Sequence, residues 1–358
     1  TTAYYLTNAG ARVLVLDKGE FGQEASWAGA GILSPGNPER AKEPYDMLRA
    51  HSAALFPRLS AELADLTGID NGYVRCGGLE FATPDEPNPE DHWRAEGIAF
   101  EKLDGQAAHE LEPALADIAG VVYALPDMGQ VRNPRHLKAL IAACTRRGVT
   151  LHPGCPAYRF ERHGGRISAV HTAQGNLMAD KFLIATGAWT TPLIQPLGVQ
   201  PGIHPVRGQI AFLNTRANRF SRVIQQGHRY LVPRLDGRVL VGSTEEEVGF
   251  DKRTTASAIA DLLQFAIAIV PGLQDAAVER CWAGLRPGSP DGLPFLGRVP
   301  GCDNLFIAAG HFRTGIQLSP ATALVMKECL LEQPLTIPLE PFRLDRPPGP
   351  RHRPAFRS

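Results

Sequence analysis

The chain has 358 residues, 44% of them hydrophobic, which allows two domains or one elaborate α/β unit around an ordinary core. Lys plus Arg and Asp plus Glu both number 37, so the formal charge is zero and the basic patch of a nucleic-acid partner is not expected. No run reaches the ~18 apolar residues of a membrane span. The six cysteines (Cys76, Cys144, Cys155, Cys281, Cys302, Cys329) have no C-x-x-C or Cys/His spacing, so neither a metal site nor a disulfide framework is expected, and reduced thiols suit a cytoplasmic protein.

In chain order, Thr2-Ala3-Tyr4-Tyr5-Leu6 reads as the end of a helix closed by Asn8 and Gly10. Val13-Leu14-Val15-Leu16-Asp17 follows as a buried parallel strand with a carboxylate at its tip. A helix and then such a strand form the second half of a dinucleotide-binding βαβ unit. The first strand and its G-x-G-x-x-G loop are missing from this chain, and about 20 further residues are expected upstream, enough for one strand and its turn. Residues 22–36 are rich in Gly, Ala and Ser, a loop whose backbone passes close to something. Residues 43–66 have helical spacing, 77–82 read as a strand, and 84–91 as an exposed Pro-rich loop.

Asn133-Pro134 opens a helix that ends at Gly148 and gives way to a strand at 149–151. Alternation across 157–170, around Gly164-Gly165, predicts a hairpin. A second apolar strand at 181–185 ends in Thr186-Gly187-Ala188-Trp189. Residues 203–213, 230–233 and 239–243 read as strands of a separate sheet, 254–269 as a helix, 304–309 as a third apolar strand, and 319–331 as a last helix. The Pro- and Arg-rich residues 346–358 read as a disordered tail.

Several positions carry chemistry beside a blander reading. Asp17 stands where a ribose-binding acid belongs, or is a solvated strand end. Arg286, in Trp282-Ala283-Gly284-Leu285-Arg286-Pro287-Gly288, is a charge in an apolar, Gly-rich stretch that suits a bound carboxylate or a structural ion pair. Residues 310–316 (Gly310-His311-Phe312-Arg313-Thr314-Gly315-Ile316) are a ligand loop or a plain connection. His228 and Tyr230 share one face if both lie in a strand, where packing alone would also explain them. The chain has no G-x-x-x-x-G-K-[ST], H-E-x-x-H or G-x-S-x-G, so phosphate transfer, zinc peptidase and serine hydrolase chemistry lose support.

Taken together, Ala28-Gly29-Ala30-Gly31-Ile32-Leu33, His228-x-Tyr230, the segment from Trp282 through Asp291-Gly292 to Gly297, and the 310–316 loop resemble the glycine oxidases of the D-amino-acid oxidase superfamily, over nearly the whole chain. The resemblance implies an α/β (α+β) fold in which an FAD-binding, Rossmann-like domain carries an inserted antiparallel-sheet substrate domain. The FAD domain would comprise residues 1–75, 131–195 and 283–345, and the substrate domain 76–130 and 196–282. It also implies FAD as cofactor, held by Asp17, Ser26, Ala28, Gly29, Gly31, Leu33, Ala157, Gly187, Trp189 and the 310–316 loop. Arg286 and Tyr230 would clamp the substrate carboxylate, with Arg313 and His228 completing the pocket.

The activity implied is oxidation of glycine, or of small amines such as sarcosine or D-alanine, by hydride transfer to the flavin, with oxygen as acceptor. The products would be imine or glyoxylate, ammonia and peroxide. A D-amino-acid or sarcosine dehydrogenase with another acceptor is the alternative. Homotetramers are common among relatives, and a thiazole synthase in thiamine synthesis is the implied recipient of the imine. Glu245 departs from the pattern, standing where a glycine oxidase has an apolar Met, and the region after Phe81 is short. Without its glycine loop the chain is expected to hold FAD poorly.

Overall fold

The computed structural model describes residues 1–84, 87–117, 120–215, 220–347, 349, 352 and 356. A short helix, Thr2–Asn8, leads through Gly10, whose positive φ lets the chain reverse, into the strand Leu14–Leu16. That strand pairs in parallel with Thr150–His152, Val15 opposite Leu151. The helix Asn133–Arg146 supplies the crossover, with Pro134 in its first turn and Gly148 past its end. A second parallel pair, Phe182–Ile184 and Leu305–Ala309, is extended by the antiparallel Phe295–Arg298. Leu14 is 41% exposed, and its strand has one hydrogen-bonded neighbour among the described residues.

The larger layer is an eight-stranded sheet. From one edge it runs Ala277–Gly288, His204–Asn214, Arg238–Gly242, Arg229–Pro233, Val223–Gln226, Gly78–Phe81, Val122–Leu125 and Glu101–Leu103. Every neighbouring pair is antiparallel except Val223–Gln226 with Gly78–Phe81. Alternation sorts its side chains. Leu231, Val239 and Val241 pack under the helix Ala256–Ile269, whereas Tyr230, Val232 and Leu240 face Ala30, Ile32 and Met128. The helix Pro44–Thr67, closed by the left-handed Gly68, packs against Asn133–Arg146 and Ser319–Leu330.

Three expectations need correction. The break expected between residues 282 and 283 falls inside Ala277–Gly288, which stays paired with His204–Asn214 out to Gly288. Of the expected loop 84–91, Asp85 and Glu86 lie outside the described residues, and its end enters the helix Glu90–Glu96. Glu90 is buried there because Lys102, Arg94 and the Tyr123 hydroxyl compensate its charge, holding its carboxyl down at about 2. The tail expected to be disordered contributes packed residues. Arg346 pairs with Asp291 at 2.7 Å, His352 lies against Tyr45, and Phe356 is fully buried on Trp93 and Arg49. A single aromatic that fills an apolar site outweighs the polar composition around it. The six cysteines are free thiols, and among the described residues no helix is long and apolar enough to cross a membrane.

Candidate active site

The parallel strands end on one side of the molecule, and a cleft of about 660 Å³ opens beyond their carboxyl ends, where α/β folds bind ligands. Asp17 and Lys18 line it from the tip of Leu14–Leu16, Arg286 and Tyr230 from the eight-stranded sheet. Burial pushes the Asp17 carboxyl above its ordinary value, against the Gly19 N–H that donates to it at 3.0 Å. Ala185 to Trp189 turn through Gly187, whose φ is +53°, along the same wall. The Lys18 ammonium lies 3.1 Å over the Trp189 ring.

The residues after Glu24 form the central wall. Gly31 has φ +74°, and a Cβ there would stand 2.1 Å from the Val131 carbonyl and 2.4 Å from Asn133 Oδ1. The Asn133 amide donates to the Ser26 carbonyl at 2.8 Å, while its Oδ1 is buried without a partner. Sequence reasoning missed Asn133, whose only signal was its place at the head of a Pro-marked helix.

Expected positions divide as follows. Asp17, Ser26, Ala28, Gly29, Gly31, Ala157, Gly187, Trp189, His311, Phe312, Arg313, Gly315 and Ile316 line the cleft together with Tyr230 and Arg286. Leu33 does not; it lines a separate hollow of about 170 Å³ with Phe56 and Tyr73. Gly310 and Thr314 sit behind the wall, where the Thr314 hydroxyl accepts from Tyr45 at 2.8 Å. His228 lies in the turn before Arg229–Pro233, so the expected shared strand face with Tyr230 is not formed, and the His228 backbone carbonyl accepts from Arg313 at 2.9 Å.

Two glycines make room for the charged end. A Cβ on Gly208 would meet the Arg286 guanidinium at 2.2 Å, and one on Gly242 would meet the Tyr230 hydroxyl at 2.5 Å. Each functional side chain therefore lies across the bare backbone of its neighbouring strand. Arg286 donates to the Thr244 carbonyl at 2.9 Å and to the Ser243 hydroxyl at 2.5 Å. Among the described residues no carboxylate lies within 4.0 Å of it. The structural ion pair left open by its sequence is absent. Burial, then the nearby Arg313, brings its pKa down to about 10, so it stays cationic at neutral pH.

Arg313 is held differently, by an ion pair to Glu245 and by the His228 carbonyl, with its Nε buried and unpartnered. Burial opposes the charge on Glu245, but Arg313, Arg286 and His228 outweigh it and keep its carboxyl below the ordinary value. His311 is half-buried, touches the Thr322 hydroxyl at 3.1 Å, and is held neutral down to about 4 by desolvation.

These features fit a flavin dinucleotide: an acid on the cleft wall, Gly29, Gly31 and Gly187 that bring bare backbone to its lining, and an orphaned amide oxygen beside them. The residues 1–328 match the model of a family described as FAD dependent oxidoreductase (DAO). A glycine oxidase from Pseudomonas putida is 36% identical over 331 residues, which cover 92% of this chain and 90% of that protein. The bifunctional protein ThiO/ThiG of Synechocystis is 35% identical over 343 residues, 94% of this chain and 50% of that protein. The crystal structure of glycine oxidase from Geobacillus kaustophilus superposes with a TM-score of 0.91 at 32% identity, over 97% of this chain and 95% of that one.

Proposed function

The chain belongs to the FAD-dependent oxidoreductase family and is an FAD-dependent amino-acid oxidase within it, and we propose that it oxidises glycine or an amine of similar size to the imine. One observation carries the substrate reading: Arg286 is a half-buried guanidinium that lines the cleft with Tyr230 and whose hydrogen-bond partners, the Thr244 carbonyl and the Ser243 hydroxyl, are both neutral. A partly desolvated charge without a counter-ion is costly unless a ligand supplies one. A carboxylate suits the planar fork, and the Tyr230 hydroxyl can donate to its second oxygen.

Asp17 would hold ribose hydroxyls, and the Ala28–Gly31 backbone, Ala157, Gly187 and the 311–316 loop would hold the rest of the cofactor. When bound, FAD supplies the two-electron acceptor for the substrate's Cα–H and passes the electrons to oxygen as peroxide. The protein's contribution is orientation. Arg286 and Tyr230 fix the carboxylate, which fixes where the α-carbon sits and replaces a collision by a positioned encounter. His311, neutral at working pH, adds no second positive charge beside the loop. The released imine then hydrolyses to glyoxylate and ammonia.

The same reading divides the chain into a flavin unit and a sheet unit that carries Tyr230 and Arg286. It places the imine upstream of thiazole assembly in thiamine synthesis, which the ThiO/ThiG relative supports by joining a domain like this one to a second. Peroxide release from the FAD-loaded protein, measured with glycine, sarcosine and D-alanine, tests the proposal. Turnover that needs an artificial acceptor and yields no peroxide would overturn the oxidase reading.

A further inference from the structure

The substrate end of the cleft holds two guanidinium groups, and they are not equivalent. Arg286 meets a carbonyl and a hydroxyl, whereas Arg313 meets the Glu245 carboxylate. Arg313, Tyr230 and Glu245 are the ionisable groups that act most strongly on Arg286. The next carboxylate along the chain, Glu246, is committed elsewhere, to Arg207 at 2.8 Å and Gln209 at 2.8 Å. Two positive groups and one negative group leave this corner with one net positive charge. The Arg313 side chain lines the cleft and is only 9% exposed, so its charge would act on a ligand if Glu245 did not cancel it.

We propose that Glu245 is a charge-selecting residue: by occupying Arg313 it leaves one free guanidinium and restricts the site to amines that carry one carboxylate. The idea rests on the amino-acid reading above, and makes it narrower. An amine with two carboxylates would bring its second charge toward a guanidinium whose charge Glu245 already balances, and close to the Glu245 carboxylate. Removal of the Glu245 charge releases Arg313, whose buried, unpartnered Nε is a further donor for the second carboxylate. A purely mechanical role for the pair, tying the 310–316 loop to the end of Arg238–Gly242, would predict a different result. Its loss would weaken all ligands together.

The test is equilibrium binding of acetate and of malonate to the FAD-loaded protein, followed by the flavin absorbance, with native protein, Glu245→Gln and Glu245→Asp. In Glu245→Gln the malonate-to-acetate affinity ratio should rise about tenfold, the effect of one unit of charge on a desolvated pair. Glu245→Asp, which keeps the charge, should leave the ratio within about twofold of native. An unchanged ratio in Glu245→Gln overturns the proposal. The native protein gives a second decision that needs no variant: malonate should bind no more tightly than acetate, and a clear preference for malonate also overturns it. Since neither anion is oxidised, these outcomes stand apart from the fate of the oxidase reading, which fails by absence of peroxide with any amine. Where turnover is seen, kcat/KM for iminodiacetate relative to glycine should rise in Glu245→Gln in parallel with the binding ratio.

Discussion

The two proposed halves of the cleft would recognise by different means. On the nucleotide side, bare backbone at Gly29, Gly31 and Gly187 joins the lining. On the substrate side, two side chains, Tyr230 and Arg286, stand on strands of an eight-stranded sheet. A nucleotide offers a long surface, and glycines let backbone approach it for many weak contacts. A small amino acid offers one charge and little area, so in the proposed site a half-buried cation on a sheet would supply the specificity.

The largest effect should come from the substrate side. Arg286→Ala should lower kcat/KM for the amino acid by about 3 kcal/mol, roughly 100-fold, mostly through KM, with flavin content unchanged. Steady-state kinetics decide it, and an unaltered KM removes the carboxylate clamp. Next, Gly31→Ala sets a Cβ against the Val131 carbonyl at a positive φ. Strain of roughly 2–4 kcal/mol is expected, read as loss of bound FAD and a lower Tm, while amino-acid KM in the loaded fraction holds. If KM moved as much as flavin content, the two ends would not be separable.

Tyr230→Phe removes one hydroxyl and keeps the ring, so a loss of about 1 kcal/mol, roughly fivefold in KM, is expected. Acidification gives the smallest effect near neutral pH and separates the ends again. Burial depresses the His311 pKa to about 4, so an unfolded chain takes up a proton that the folded one refuses between the ordinary 6.5 and about 4, and stability falls over that window. Hydrogen bonds from Arg207, then Gln209 and Thr244, hold Glu246 down at about 2. Its contribution is therefore lost only as pH falls from 4.5 toward that value. Burial also holds His136 down at about 3, so it contributes to the same window; FAD release and Tm followed between pH 7 and 3 should show this early phase, and His311→Gln should shrink it. A single transition confined below 4.5 would contradict the assignment.

The sequence exposed the parts of this arrangement that are local. An apolar run that ends in Asp17 announces a parallel strand and its acid, and Arg286 announces itself as a charge where its neighbours are apolar and small. Cross-strand partners leave no such trace. Gly208 lies 78 residues before Arg286, Glu245 lies 68 before Arg313, and only the sheet register and the loop's path bring them together. His228 misled because its spacing from Tyr230 fits a strand, whereas Gly227, with φ +57°, makes it part of a turn. Phe356 was hidden because a Pro- and Arg-rich segment looks unable to pack until one aromatic finds Trp93.

The bare positions under Arg286 and Tyr230 have a consequence for how such a site changes over generations or in a library. A side chain at 208 would displace the Arg286 guanidinium, and one at 242 the Tyr230 ring. Substitutions at the two members of each couple should therefore not act independently. Paired randomisation of 208 with 286, and of 242 with 230, samples side-chain placements that single substitutions do not reach.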